Sequence, residues 1–153
     1  VRALINTLVD YQLTNLAGQQ NRLLVQIETV TNLQVGGGFR IEAPSGFVFE
    51  ESCVLLNNPM LQPPFIDLAP VAPMICTSEV PITTNKPVVT IAVVKGEVRA
   101  DKYEFMIDVE NPRWTYDSAS MSWSISTFLN IELQEVADLA SVVRGFSIED
   151  PMM

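Results

Sequence analysis

Histidine is absent from this 153-residue chain. That absence excludes Ser-His-Asp and Cys-His catalysis, and every His-dependent metal site. Basic side chains are scarce: nine Lys and Arg stand against 18 Asp and Glu, a formal charge of −9. The only lysines are Lys86, Lys95 and Lys102. A phosphate backbone is bound by clustered cations, so nucleic acid is not an expected partner. Long apolar runs are missing too. Asn6, Thr7, Asp10 and Gln12 interrupt the apolar start, so no membrane-spanning segment is expected. No basic start followed by an apolar core opens the chain, and Val1 is not an initiator Met. The expectation is a mature product or an excerpt of a longer polypeptide, and the missing signal says nothing about location.

Cysteine is nearly absent, and its two copies carry the compartment argument. Cys53 and Cys76 bracket Pro59, Pro63, Pro64, Pro70 and Pro73. Proline fixes φ and lacks a donor, so this stretch is neither a regular helix nor a central strand. A disulfide at its base would tie the excursion down and imply an oxidising compartment. Two buried free thiols are the alternative. No His or further Cys completes a metal site, and no EF-hand spacing occurs. No metal or cofactor is therefore expected.

What is present is β patterning. Leu23, Val25 and Ile27 alternate with Leu24, Gln26 and Glu28. Gly36-Gly37-Gly38 breaks the pattern as a turn with positive φ would; no Gly-Lys-Ser/Thr follows, so a hairpin or bulge is expected rather than a phosphate cradle. Phe39 and Ile41 start a second strand, ended by Pro44-Ser45-Gly46. Val88 to Val94 is rich in β-branched residues. Tyr103, Phe105, Ile107 and Val109 alternate with Glu104, Met106, Asp108 and Glu110, which predicts a half-buried strand with an apolar and an acidic face. Met121, Trp123, Ile125 and Thr127 alternate with serines, and this phase puts Trp123 in the core. From Ile131 to Arg144 the pattern is ambiguous. Leu133, Val136, Ala137, Ala140 and Val143 fall at helical spacing, so a short helix near the C-terminus competes with strand plus loop.

Many short strands separated by turn residues predict an all-β, Ig-like antiparallel β-sandwich with one long, Pro-rich, disulfide-tied loop. Eight of the ten prolines lie between Pro44 and Pro87. Such a loop is functional or covers an open sheet edge. The expected division is an extended N-terminal strand or linker over residues 1–20, the sandwich over 21–144, and a connecting segment over 145–153.

Three stretches carry a resemblance: Phe39 to Phe49 leading to Cys53, Tyr103 to Pro112, and Gly145-Phe146-Ser147-Ile148. Together they resemble a tandem β-sandwich repeat of large extracellular or surface proteins of protists, dinoflagellates and their relatives especially. The resemblance implies a structural or adhesive module in a repetitive, secreted protein, at the cell surface or outside the cell. It brings no catalytic residue.

Two kinds of chemistry need weighing. Glu50, Glu51, Asp101, Asp108, Glu110 and Asp117 could supply carboxylates for acid/base work or for calcium between sandwich loops, but solvated acidic faces explain them as well. Trp114 and Tyr116, in a polar loop, are the candidate binding residues, since aromatic faces stack on sugar rings. No Asn-x-Ser/Thr sequon occurs. The expectation is a non-catalytic structural module whose partners are neighbouring copies, joined through apolar terminal segments. A carbohydrate- or ligand-binding ectodomain, with glycans as partners, is the alternative.

Overall fold

The computed structural model describes residues 2–151, which form strands and turns without any helix. In chain order the strands are β1 (Arg2–Ala3), β2 (Ile5–Tyr11), β3 (Gln20–Glu28), β4 (Leu33–Gln34), β5 (Gly38–Glu42), β6 (Ile66–Asp67), β7 (Met74–Glu79), β8 (Val88–Val93), β9 (Glu97–Val98), β10 (Lys102–Glu110), β11 (Ser122–Asn130) and β12 (Glu135–Arg144). A six-stranded sheet has the order β1-β12-β11-β5-β8-β7, and a four-stranded sheet the order β2-β3-β10-β6. β4 and β9 make a third, short pair. Both larger sheets are mixed, because β1 joins β12 and β6 joins β10 in parallel.

Period-two alternation decides which side chains are buried. On β3, Asn21, Leu23, Val25 and Ile27 are buried while their neighbours are half exposed. Phe105, Ile107 and Val109 of β10 join them in one apolar cluster with Phe39, Ile41, Ile91, Trp123 and Ile125 of the six-stranded sheet. Trp123 is 1% exposed and lies against Phe47, with ring centroids 4.9 Å apart.

The structure corrects three expectations. The short helix does not form: Glu135–Arg144 is a strand paired with β11. Its helical spacing comes from irregular pairing. Trp123 faces Val143 and Ile125 faces Ala140, so three steps on β12 match two on β11. Such a bulge spaces buried residues three apart, as a helix would. The triple glycine is not a hairpin between β3 and β5, since these strands lie in different sheets. It is a crossover turn, with Gly36 at φ 93° and the Gly37 N–H donating to the Gln34 carbonyl at 2.8 Å. The acidic face of β10 is not all solvated. Glu104 is 4% exposed and Met106 5% exposed, because the chain from Val48 to Asp67 is laid along that side.

Strand directions give the molecule two poles. β12 runs from Glu135 to Arg144, with β11 and β2 alongside it. Arg2 and the turns at 29–37, 94–101 and 131–134 gather at the lower pole. The turns at 12–19, 43–47, 80–87 and 111–121 gather at the upper pole with Gly145 to Asp150. The chain switches sheets between β1 and β2, where Leu4 is 7% exposed and its N–H donates to the Leu139 carbonyl at 3.0 Å.

Candidate functional site

The expected disulfide is present: Cys53 and Cys76 are bonded, 23 residues apart in sequence. Cys76 belongs to β7, an edge strand of the six-stranded sheet. Cys53 belongs to a strap that serves two sheets. Towards the four-stranded sheet, Val48 bridges Glu110, Leu56 bridges Met106, and β6 pairs with Tyr103 and Glu104. Towards the six-stranded sheet, the Ser78 N–H donates to the Glu51 carbonyl at 3.0 Å and the Ser78 hydroxyl to the Glu50 carbonyl at 2.8 Å. One strap therefore covers an edge of each sheet, and the disulfide locks it to the second. The Glu104 carboxylate lies beneath it, accepting from Gln26 Nε2 at 2.9 Å and Asn58 Nδ2 at 3.0 Å.

Trp114 and Tyr116 come together at the upper pole, with ring centroids 6.2 Å apart and planes tilted by 45°. Trp114 is 51% exposed. Its indole lies over Gly46, where a Cβ would come within 2.6 Å of the ring. Gly46 also has φ 102°, so backbone and space both favour glycine there. Tyr116 is half buried, and its hydroxyl donates to the Ser45 carbonyl at 2.8 Å. The tilt leaves one free aromatic face, that of Trp114, rather than a coplanar platform. That face can cover one apolar sugar face or one apolar side chain.

The six candidate carboxylates do not gather at one place, although three of them share a groove. Asp108 pairs with Arg22 at 2.8 Å, and this hydrogen bond is the main reason the guanidinium pKa is raised. Glu110 pairs with Arg113 at 3.5 Å. Asp117 Oδ1 accepts from the Ala119 N–H and so shapes a turn. Asp101 Oδ1 accepts from the Lys102 N–H. Glu50, Asp108 and Glu110 line one shallow groove of about 150 Å³ with Val48 and Phe49. Among the described residues no group of three or more Cys, Asp or Glu side chains could hold a metal ion.

Sequence reasoning missed the buried polar groups. Asp138 is fully buried on β12, with Oδ1 accepting from the Thr31 hydroxyl at 3.0 Å and Oδ2 from the Thr127 hydroxyl at 2.8 Å. It ties the first crossover to the β11–β12 pair. At the upper pole Asn21 Nδ2 donates to Asn111 Oδ1 at 3.1 Å, and Asn111 Nδ2 donates to the carbonyls of Thr14 and Leu16. Both networks position backbone; Thr31 of the first also lines an open groove with Val30, Asn32, Leu129 and Val136. The only cue in the sequence was polar residues at apolar-phase positions of strands. No protein-family model matches this chain, and no characterised protein matches it in sequence.

Proposed function

We propose that this chain is a non-catalytic structural module of an extracellular, repetitive or filamentous assembly, joined to neighbouring copies through its terminal extended segments. One observation carries the reading. β1 is tied at the lower pole through Asp138 and Leu139, while Ile148 and Glu149 are tied at the upper pole through Tyr116 and Leu16. Asp138 and Arg144 are six residue steps apart on β12, about 20 Å of strand. Modules with ends so placed follow one another in line. The disulfide, and the lack of any described helix long and apolar enough to cross a membrane, are compatible with a secreted protein.

An Ig-like sandwich is the finer fold reading. In space, β12-β11-β5-β8-β7 follow the order G-F-C-C′-C″, and β2-β3-β10-β6 the order A-B-E-D. The connectivity differs: β6, β7 and β8 visit the D, C″ and C′ places in reverse of the immunoglobulin sequence. The disulfide also ties a strap to an edge strand instead of joining B to F. The resemblance to protist surface repeats agrees with this reading. The test is the coding sequence on either side of this segment. Further copies of the strand pattern, each with its Cys pair, are expected; unrelated flanking domains would overturn the tandem reading.

A second reading rests on Trp114. Its half-exposed ring beside Tyr116 suits a carbohydrate-binding ectodomain. Glycan-array binding that disappears in Trp114→Ala would favour it, and an array without any specific signal would remove it.

A further inference from the structure

We propose that the trough across the outer face of the four-stranded sheet is a binding site for an uncharged sugar unit of a glycan. The site lies away from the upper pole, so it goes beyond the module reading and does not depend on Trp114. In the order β2-β3-β10-β6, three steps between strands put the backbones of the two edges about 14 Å apart. One wall is β2 from Asn6 to Leu8, the other is Pro64 and Phe65, and the floor is Gln26 of β3 and Lys102 of β10. The space between them is about 360 Å³, within the range of small-molecule sites. Each wall is built by a local irregularity. β2 carries a bulge: Ile5 pairs with Glu28 and Leu8 with Gln26, so three steps on β2 match two on β3. Asn6 has φ 53° there, a conformation that asparagine tolerates better than most residues. A bulge re-aims a side chain. Here Asn6 reaches across to β3, with Nδ2 donating to Glu28 Oε1 at 2.9 Å. The opposite wall is a turn in which the Phe65 N–H donates to the Gln62 carbonyl at 3.1 Å, just before β6 pairs with Tyr103 and Glu104.

The chemistry of the lining selects the ligand. Leu8, Pro64 and Phe65 offer apolar surface, which suits the C–H face of a pyranose ring. The polar groups offer donors and acceptors together. Gln26 Nε2 is fixed on the buried Glu104 carboxylate, which Asn58 Nδ2 holds in turn, and this leaves Gln26 Oε1 as an acceptor. Asn6 likewise keeps Oδ1, and the Thr7 hydroxyl both donates and accepts. A ligand hydroxyl matches such a mixed set because it also does both, whereas an ionised carboxylate only accepts. Charge selects in the same direction. Lys102 Nζ lies 3.7 Å from Glu28 Oε1, so the one ammonium of the trough is already paired. The chain as a whole carries −9, which opposes an anion. The floor is held by Glu104 and Glu28 before any ligand arrives, so binding has few side chains left to order.

The test is a titration of the isotope-labelled chain, followed by NMR, with cellotetraose, maltotetraose and mannotetraose, and with tetragalacturonate as the anionic probe. At least one neutral tetraose should shift the side-chain amide signals of Asn6 and Gln26 saturably. Asn6→Gly suits the positive φ and removes only the side chain, so it should fold normally and weaken binding about fivefold. Phe65→Ala should weaken it about tenfold or more. Val142→Ser, at a 76% exposed position on the other sheet, should leave it unchanged. Unmoved trough signals with all three neutral probes at about 10 mM, well above a millimolar Kd, overturn the proposal. So does full affinity in both Asn6→Gly and Phe65→Ala with normal melting, or tighter binding of tetragalacturonate than of every neutral probe. Binding lost in Trp114→Ala and kept in Asn6→Gly and Phe65→Ala refutes this site and leaves the upper-pole carbohydrate reading standing. Trough shifts that persist in Trp114→Ala support this site whatever the glycan array shows for the pole.

Discussion

Replacing both cysteines, Cys53→Ala with Cys76→Ala, tests how the strap is held. The bridge closes a loop with a sequence separation of 23 residues. For that length the chain-entropy model assigns about 3 kcal/mol of stabilisation. In a chain of this size each kcal/mol moves the melting midpoint by about 2–4 °C, so a drop of roughly 6–12 °C is expected. Alanine keeps the apolar character of the Cys76 site, which is 8% exposed, and so adds only a small void. The loss should be uneven. The strap's backbone bonds run from the N–H of Met106 to the Leu56 carbonyl, of Glu110 to Val48, and of Ser78 to Glu51. Those three amides should lose protection against exchange well before Thr127 or Ile125. Scanning calorimetry gives the global effect and exchange mass spectrometry the local one. A midpoint lowered by less than about 2 °C would show that the backbone bridges hold the strap unaided. The reasoning about loop closure would then be wrong for this molecule.

Three further outcomes follow from buried contacts. Asp138→Ala leaves the hydroxyls of Thr31 and Thr127 without their acceptor and should cost about 1–3 kcal/mol in urea unfolding, with Asp138→Asn costing less; equal losses would refute the hydrogen-bond account. Gly145→Ala drives a methyl into the Trp123 indole and the Met121 sulfur, and should destabilise by about 1–3 kcal/mol with a changed near-ultraviolet Trp signal; an unperturbed spectrum would refute that contact. Tyr103 donates to the Arg99 carbonyl at 2.6 Å, and burial, aided by Asp101, pushes its phenol up from the usual value near 10. The unfolded chain then loses this proton first, so stability is full below about pH 10 and falls as pH rises towards the folded pKa. Tyr103→Phe should remove that part of the alkaline slope, and an unchanged slope would refute it.

The parts of the fold legible in the sequence were those where one sheet face is buried and the other is wet. β3 is such a strand, and on β11, which is buried on both faces from Ile125 to Phe128, Trp123 still lies in the core that its phase with Met121 and Ile125 indicated. The Cys pair was legible because prolines between the thiols left no regular element to order that stretch. β12 was ambiguous because a bulge imposes a three-residue spacing that periodicity alone cannot separate from a helix turn. Glu104 looked solvated because its cover arrives from Asn58, 46 residues earlier. Asp138 was invisible as a structural group because its partner Thr31 is 107 residues away. Trp114 and Tyr116 were expected in one loop. Their 45° tilt, set by Gly46 and the Ser45 carbonyl, needed the fold.

The parallel pairing of β1 with β12 has a mechanical consequence. Tension applied between Arg2 and Glu149 pulls β1 towards one pole and the end of β12 towards the other. The two strands are then dragged past each other along their length, so their hydrogen bonds, which lie across the pull, share the load. Peeling them one by one would need force applied sideways. β2 is dragged along β3 in the same sense, over the pairs from Ile5–Glu28 to Tyr11–Leu23. The first crossover, held to Asp138 through Thr31, lies beside the strand that would slip. A module loaded this way yields late and abruptly, the response expected of a link in a cable.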